Sequence, residues 1–206
     1  VDKMLGRLLD HLYTKRQSDS TTVIVWGDHG WQLGEHARWT KHSVMETSMR
    51  SPLIIRTPKA EITGERVEAI VEFVDLFPTV CDLAAIAPPT GLDGKSILPL
   101  LKKPDAPFRD FALGRYWGAE TLRTDRYRYM AWIEEDGSIT DEALFDHHLD
   151  PQENNNVVAS PHYQSTAHRL RQLLKDNAPG GQRIKLANTK SSPAARPSPK
   201  ETAHRD

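Results

Sequence analysis

The residues best suited to chemistry in this sequence begin with an acid–histidine pair, Asp28 and His29, flanked by Gly27 and Gly30. Adjacent aspartate and histidine side chains can reach one ion if the backbone turns sharply, and the two glycines allow such a turn. An aspartate oxygen suits Ca²⁺ or Mg²⁺, whereas an aspartate–histidine pair also suits Zn²⁺. The pair therefore predicts two ligands of a metal site whose remaining ligands come from elsewhere.

Further polar groups follow within the same stretch, namely His36, Lys41 and His42. A lysine beside a metal would hold an anionic group such as sulfate or phosphate and would offset negative charge in a transition state. The histidines could donate to an oxyanion or act as a general acid. Taken singly, each residue also fits an ordinary polar loop, and Asp-His-Gly also fits an Asx-turn with a surface histidine. Their combination after an apolar strand favours a metal–anion site.

The elements that must position this stretch precede and follow it directly. Apolar residues at helical spacing predict an amphipathic helix over residues 1–12. Residues 21–26 are apolar and β-branched without alternation, which is typical of a strand buried on both faces. A second strand is predicted at 50–56, starting near Pro52. Helix, strand and loop form half of a parallel α/β unit, whose chemistry lies after the strand.

Composition narrows the class of protein. The chain has 206 residues, 38% of them hydrophobic, and a net charge of −1. Such a charge gives no global field for nucleic acid, and no apolar run approaches the roughly 20 residues of a membrane span. We therefore expect neither a nucleic-acid partner nor a transmembrane segment. The single cysteine, Cys81, allows no internal disulfide and no cysteine-based zinc site, and its helical context predicts a small buried side chain.

The later part of the chain has a different pattern. Short antiparallel strands are predicted, with a hairpin turn at Asp136-Gly137 and one covered face, at residues 111–115, 121–124, 127–132 and 143–146. Ser160 and Pro161 are suited to starting a helix that runs to about residue 177 and places Leu170 and Leu174 on this sheet.

These patterns divide the chain into three parts. Residues 1–107 form an α/β part and residues 108–178 a small α+β part with an antiparallel sheet and one packed helix. Residues 179–206 form a tail rich in serine and proline. From residue 182 onward the tail carries six basic and two acidic residues, a balance of +4, which predicts disorder.

The stretch that begins at Asp28 resembles the second metal-binding segment of the type I sulfatases, in the alkaline-phosphatase superfamily. The resemblance is strongest to the iduronate-2-sulfatase-like branch, which has Asp-His-Gly-Trp-x-Leu-Gly-Glu-His followed by Trp-x-Lys-x-Ser, as residues 28–43 do. Similarity to the same family continues in order through residues 50–54, 74–84, 91–101, 123–129 and 144–154. The first part then resembles part of the parallel-sheet domain of that superfamily.

The resemblance implies hydrolysis of sulfate monoesters, with sulfated glycans among the candidate substrates. It also implies a formylglycine nucleophile and a divalent cation, which is usually Ca²⁺ rather than Mg²⁺ or Zn²⁺. Asp28 and His29 match metal ligands, and Lys41 matches the lysine that contacts the sulfate and assists the leaving group. His36 and Trp31 would lie near the substrate. Many such enzymes are exported or lysosomal, so the resemblance also implies export.

The sequence departs from the family pattern ahead of the loop. The nucleophile motif, a cysteine or serine followed by x-Pro-x-Arg or x-Ala-x-Arg, is absent there, as is an early pair of aspartates, and Cys81 does not fit the motif. We therefore expect the C-terminal portion of a sulfatase, inactive and poorly soluble when isolated because a cut sheet exposes an edge. Two alternatives stay open: a Zn²⁺-dependent phosphatase or phosphodiesterase of the same superfamily, and a non-catalytic fragment that binds sulfated glycans.

Overall fold

The structure, a computed structural model, describes residues 1–58, 60 and 62–178, so the predicted tail lies outside the described residues. The predicted α/β class is confirmed, with helices and two-stranded pairings first and an antiparallel sheet afterwards. The elements are α1 (Asp2–Thr14), β1 (Val23–Trp26), β2 (Gln32–Leu33), β3 (Trp39–Thr40), α2 (Glu46–Met49), β4 (Leu53–Arg56), α3 (Leu76–Leu83), α4 (Leu98–Lys102), β5 (Phe111–Tyr116), β6 (Ala119–Thr124), β7 (Tyr127–Ile133), β8 (Ile139–Asp146) and α5 (Gln164–Asn177).

Strands β1 and β4 pair with each other in antiparallel register, from Val23 opposite Arg56 to Trp26 opposite Leu53. The sequence predicted a parallel α/β arrangement, which needs a crossover of a dozen or more residues, usually a helix. Here β1 ends at Trp26 and β4 begins at Leu53, and the connection between them holds a short ribbon and the four-residue helix α2 rather than a long crossover helix.

The prediction that β1 is buried on both faces is wrong for the described structure. Its first three residues are half-buried and Trp26 is 52% exposed. Helix α1 follows its predicted amphipathic pattern but buries none of its residues fully: Met4 and Leu8 are exposed, and Leu5 and Leu12 are half-buried. β1 has one strand neighbour among the described residues.

The second part forms the predicted antiparallel sheet, with its strands in sequence order β5-β6-β7-β8. The hairpin turn between β7 and β8 contains Gly137 at φ +87°, as the Asp-Gly signal indicates. Helix α5 covers one face. Its Leu170 and Leu174 pack into a core with Leu122 and Tyr129 of the sheet, all four almost completely buried.

The other face of this sheet is also covered, although the alternating pattern of β7 predicted one solvated face. Met130, on the opposite face of β7 from Tyr129, is fully buried in a second core that contains Val44. The side chain of Met49, in α2, approaches the sheet so closely that a Cβ on Gly114 would lie 2.0 Å from its Cε. The segment that follows the loop of interest is therefore packed against the small sheet.

Two polar residues that precede helical turns, Asp75 and Ser160, do not cap them with their side chains. Asp75 is fully buried, and its carboxylate accepts hydrogen bonds from the backbone N–H of Glu72 and Lys95 and pairs with Arg109 at 2.6 Å, instead of capping α3. Ser160 precedes a short 3₁₀ turn and makes no side-chain cap. Cys81 is buried inside α3, which confirms its predicted packing role.

Asp146, at the end of β8, gives the fold a measurable pH dependence. Its carboxylate accepts two hydrogen bonds from Arg126, at 2.9 and 2.6 Å, and one from the Tyr163 hydroxyl at 3.0 Å. The Arg126 hydrogen bonds lower the pKa of Asp146 from 3.8 to about 2, against the opposing effect of burial. Because folding depresses this pKa, the stabilisation is present above pH 4 and is lost as the pH falls toward 2.

We expect Asp146→Asn to lower the free energy of unfolding by about 2 kcal/mol at pH 7. The loss is expected to be smaller at pH 3, where ionisation of Asp146 contributes less to the stability of the wild-type protein. Urea unfolding of both proteins at the two pH values measures it. Asp125→Asn on the neighbouring exposed turn serves as the control and should change stability by less than about 0.5 kcal/mol. Equal losses at both pH values would contradict the assignment.

Candidate active site

The predicted functional stretch folds as a small two-stranded ribbon. Gln32 pairs with Thr40 and Leu33 with Trp39, and a five-residue turn at 34–38 connects β2 to β3. The end of β3 therefore lies beside the start of β2. Its base carries the residues just before β2 and just after β3.

The ribbon separates the predicted site residues into two groups. Trp31 precedes β2 and Lys41 follows β3, so both lie at the base, on the side of Asp28 and His29. His36 lies in the turn at the opposite end, although the resemblance implied that it would lie near the substrate. The structure thus brings four of the five predicted residues to one end of the ribbon.

The ribbon contains non-glycine residues in the left-handed region of backbone space. His36 and Ala37 both have φ of +54°, and Thr40, directly before Lys41, has φ of +80°. Such conformations cost of order 1–3 kcal/mol each and persist where the surrounding structure imposes them. The ribbon therefore imposes strained conformations in its turn and at Thr40, the residue that positions Lys41.

Asp28 and His29 lie directly after β1, as predicted. The Nδ1 atom of His29 lies 2.6 Å from the carbonyl oxygen of Gly30, which can only accept, so Nδ1–H is the donor. With Nδ1–H as the donor, Nε2 is the ring nitrogen left for a ligand, and it lies 3.4 Å from Oδ2 of Asp28. A cation held by both atoms would replace the direct contact between imidazole and carboxylate.

The pair fits a divalent metal as an incomplete set of ligands. A carboxylate oxygen and a histidine nitrogen whose other nitrogen is fixed by a backbone carbonyl are ordinary metal ligands. The Asp28 side chain is 82% exposed and that of His29 is 26% exposed, so both remain accessible from solvent. Two ligands do not complete a coordination sphere.

Gly30 anchors this end of the stretch to helix α2. Its N–H donates to the carbonyl oxygen of Ser48 at 2.8 Å. A Cβ placed on Gly30 would lie 2.1 Å from the carbonyl oxygen of Thr47 and 2.6 Å from that of Arg50. Only glycine allows this approach, which explains the second glycine of the motif by contact rather than by backbone freedom.

The other base residues are open to solvent. The Trp31 ring is 52% exposed and is stacked near His29, with ring centroids 6.0 Å apart. Lys41 is exposed, and its ammonium group makes no hydrogen bond or ion pair within the described part of the chain, although its backbone carbonyl accepts the N–H of Ser43 at 2.9 Å. An ammonium group without a protein partner is available to an anionic ligand.

Sequence reasoning missed a buried polar chain that holds the ribbon on α2. The Ser43 hydroxyl donates to Ser48 Oγ at 2.9 Å, and Ser48 donates to Oε1 of Gln32 at 3.1 Å. Gln32 and Ser48 are almost fully buried. Because Gln32 belongs to β2 and Ser43 follows Lys41, both sides of the ribbon are fixed to one helix.

A buried ionic cluster, formed by Glu46, Arg123, Arg128, His147 and Glu153, then ties α2 to the small sheet. Nε of Arg128 lies 2.7 Å from Oε1 of Glu153, and Nη2 contacts Glu46. Oε2 of Glu153 accepts the backbone N–H of Glu46 at 2.8 Å. Burial by itself would raise the pKa of Glu46, but Arg128 and Arg123 outweigh it and keep this pKa lowered.

The carboxylates and imidazole of this cluster lie close enough together to suggest a metal site, since ligand atoms of Glu46, His147 and Glu153 fall within 4.8 Å of one another. The guanidinium of Arg128 contacts both carboxylates and neutralises them. A divalent cation there would face a buried positive charge. The cluster is therefore an ionic junction, and we do not assign it a metal.

A further contact links the loop to the hairpin between β5 and β6. The Tyr116 hydroxyl and Nδ1 of His42 are hydrogen-bonded at 2.7 Å, and their ring centroids are 5.4 Å apart. Seventy-four residues separate the two positions. No local pattern in the sequence predicts this pairing, which brings Tyr116 next to the residue that follows Lys41.

Residues 34–179 match the profile of the C-terminal region of N-sulphoglucosamine sulphohydrolase. The chain belongs to this sulfatase family. The family match confirms the predicted C-terminal sulfatase portion. An N-acetylglucosamine-6-O-sulfatase of Bacteroides thetaiotaomicron is 32% identical over 188 residues, covering 85% of this chain and 33% of the relative. The chain spans about a third of the length of the curated relatives it matches.

Solved structures agree with the sulfatase assignment. A protein in complex with its substrate D-glucosamine-2-N,6-O-disulfate shares 31% identity at a TM-score of 0.78, over 87% of this chain and 40% of that one. A phosphonate monoester hydrolase from Silicibacter pomeroyi shares 30% identity at a TM-score of 0.72, over 85% of this chain and 38% of that one. Membership of the sulfatase family implies a divalent cation.

Two remaining expectations concern the rest of the sequence. The nucleophile pattern, which is absent ahead of the loop, does occur as Ser192-x-Ala194-x-Arg196 in the tail, outside the described residues. None of the helices in the described part combines the length and the apolar character that a bilayer crossing demands.

Proposed function

We propose that this chain provides the metal- and sulfate-binding side of an enzyme that hydrolyses sulfate monoesters. The observation that supports this most directly is the arrangement at the base of the ribbon. Oδ2 of Asp28 and Nε2 of His29 lie 3.4 Å apart, and Lys41, whose ammonium has no partner among the described residues, follows the ribbon at the same end. A cation site and a free ammonium together suit a ligand with several negatively charged oxygens.

Each residue has a specific role in this proposal. Asp28 and His29 hold the cation, for which Ca²⁺ is preferred over Mg²⁺ and Zn²⁺ because the accessible oxygen of Asp28 suits a hard ion. When bound, a divalent cation withdraws charge from the sulfate oxygens. Lys41 donates hydrogen bonds to the ester and stabilises the negative charge that develops on the departing oxygen. The nucleophile, a formylglycine in this proposal, comes from outside the described residues.

The substrate class follows from the chemistry of related proteins. The relative named N-acetylglucosamine-6-O-sulfatase and the structure bound to a glucosamine disulfate both concern sulfated amino sugars. We propose a sulfated glycan or its saccharide fragment for this chain, within the iduronate-2-sulfatase-like branch that the motif of residues 28–43 resembles. Trp31 and His36 remain proposed substrate contacts, with Trp31 better placed.

The proposal also concerns the organisation of the whole protein. We propose boundaries near residues 107 and 178, because the small sheet begins at Phe111 and α5 ends at Asn177. Export from the cytoplasm is the expected location, since sulfated glycans are extracellular polymers. Fractionation of the source cells would decide the location.

A phosphoryl or phosphonyl ester is the second candidate substrate. It is favoured by the 30% identity to a phosphonate monoester hydrolase. The same cation and lysine suit any tetrahedral anion of this size, so geometry at Lys41 does not discriminate. The two candidate functions differ in the anion that binds. A phosphonate monoester and a sulfate monoester both carry one negative charge, but different groups surround the central atom.

We expect Lys41→Met to weaken binding of inorganic sulfate to the Ca²⁺-loaded chain at least tenfold, because the variant removes the unpartnered cation. Titration followed by amide NMR measures the affinity. Arg38→Met, an exposed cation in the turn at the far end of the ribbon, is the matched control and should leave it unchanged. Methylphosphonate in parallel tests the second candidate. An equal loss in both variants would show that binding reflects overall charge only.

A further inference from the structure

The two-residue turn between β5 and β6 breaks a local rule of hairpin chemistry. Tyr116 pairs with Ala119, so Trp117 and Gly118 form the turn. Such turns favour glycine, asparagine or aspartate where φ is positive. Trp117 instead holds φ at +49° while exposing 67% of its surface. A large apolar side chain is therefore kept in a strained backbone position and in water, which costs stability twice.

The position of Trp117 beside the ribbon suggests a role that offsets its unfavourable backbone conformation and its exposure. The Tyr116 ring lies 6.1 Å from that of Trp117 and 5.4 Å from that of His42. The hydrogen bond between Tyr116 and His42 fixes the turn beside the residue that follows Lys41. An exposed indole face is thus attached, through two ring contacts, to the proposed sulfate-binding end of the ribbon.

We propose that Trp117, supported by Tyr116 and His42, forms a subsite for the sugar ring of a sulfated saccharide whose sulfate lies at Lys41. This inference rests on the proposed function. The apolar C–H face of a pyranose matches an exposed aromatic ring, and sites for small molecules combine aromatic walls with a few polar groups. Tyr116 acts as the positioning residue, because it joins the turn to His42.

The surrounding residues favour a sugar ring over a second anion. Glu120 and Arg115 pair with each other next to the turn, across the β5–β6 register, so they leave no unpaired cation there. The exposed group that the turn offers is the indole itself. Recognition of a bare sulfate therefore belongs to Lys41, and recognition of the sugar belongs to Trp117.

The test uses the 206-residue chain with Ca²⁺ and three probes: inorganic sulfate, D-glucosamine and D-glucosamine 6-sulfate. Amide and indole NMR signals report on Lys41 and Trp117 separately. Trp117→Asn is expected to weaken binding of glucosamine 6-sulfate about tenfold and to leave sulfate affinity unchanged. Trp117→Tyr retains a ring and should retain most of the affinity. Tyr13→Asn, an exposed aromatic on α1, is the matched control.

Stability separates a binding role from a structural one. Asparagine tolerates positive φ better than tryptophan, so Trp117→Asn should melt at or above the wild-type temperature while it loses sugar affinity. A variant that melts lower, or that binds glucosamine 6-sulfate as tightly as wild type, overturns the subsite.

The probes distinguish the two proposals. If sulfate perturbs the NMR signal of Lys41 but glucosamine leaves that of Trp117 unchanged, the subsite is overturned and the proposed function is kept. If glucosamine perturbs the NMR signal of Trp117 but sulfate leaves that of Lys41 unchanged, a sugar site is kept and its link to sulfate hydrolysis is removed. If neither probe perturbs its residue, both proposals fall.

Discussion

Replacing Arg128 by methionine is expected to lower the free energy of unfolding by about 3–5 kcal/mol. Arg128 is 3% exposed and contacts the carboxylates of Glu153 and Glu46, of which Glu153 is also buried. Methionine fills similar space without charge, so the variant leaves Glu153 buried with only the imidazole of His147 as a side-chain partner. The cost comes from that uncompensated charge rather than from lost packing.

Arg50→Met is the matched control for this variant, since Arg50 contacts the same Glu46 carboxylate from a position where its side chain is 66% exposed. It should cost less than about 1 kcal/mol. Combining Arg128→Met with Glu153→Gln should recover part of the loss, because the buried charge is removed. Urea denaturation at pH 7 measures all three. Equal losses for Arg128→Met and Arg50→Met would show that the cluster is not a buried junction.

A methyl group at Gly30 is expected to disrupt the site more than the fold. The added Cβ would lie 2.1 Å from the carbonyl oxygen of Thr47 and 2.6 Å from that of Arg50. Both are backbone atoms, which cannot move aside as the end of a flexible side chain can. Gly30→Ala must therefore push the ribbon away from α2. We expect a loss of about 1–3 kcal/mol in unfolding free energy and at least a tenfold loss in Ca²⁺ affinity, since His29 bonds to the displaced Gly30 carbonyl.

Gly6→Ala in α1 provides the comparison, because a Cβ at Gly6 meets no atom within 4 Å. Alanine should stabilise that helix by about 0.5–1 kcal/mol and leave Ca²⁺ binding unchanged. Calorimetric titration with Ca²⁺ and thermal unfolding of the two variants give the required pair of measurements. Wild-type Ca²⁺ affinity in folded Gly30→Ala would contradict the placement of the ligands at the start of the ribbon.

Local patterns predicted the parts of this molecule that depend on neighbouring residues in the sequence. The motif of residues 28–43 contains its own strands, turn and ligands, so its resemblance to sulfatases pointed to the correct family. The four strands of the small sheet and helix α5 were predicted because consecutive elements pair with one another. Leu170 and Leu174 were placed correctly for the same reason.

Contacts between distant positions could not be predicted in this way. Glu46 and Glu153 are 107 residues apart, and the burial of Met130 depends on Val44 from another part of the chain. Alternation in β7 indicates which residues share a face, but it does not show what covers that face. The antiparallel pairing of β1 with β4 was not predicted either, because an apolar strand segment does not show which strand lies beside it or in which direction that strand runs.

The two strands of the ribbon are connected at its base to different structures. The segment with Asp28, ahead of β2, continues from β1, whereas the segment with Lys41, after β3, leads through Val44 into the core of the small sheet. The spacing between the proposed cation and the ammonium therefore depends on how that sheet is seated against β1 and β4. A substitution deep between α5 and the sheet would thus alter anion affinity at long range, without touching any ligand, by changing this spacing.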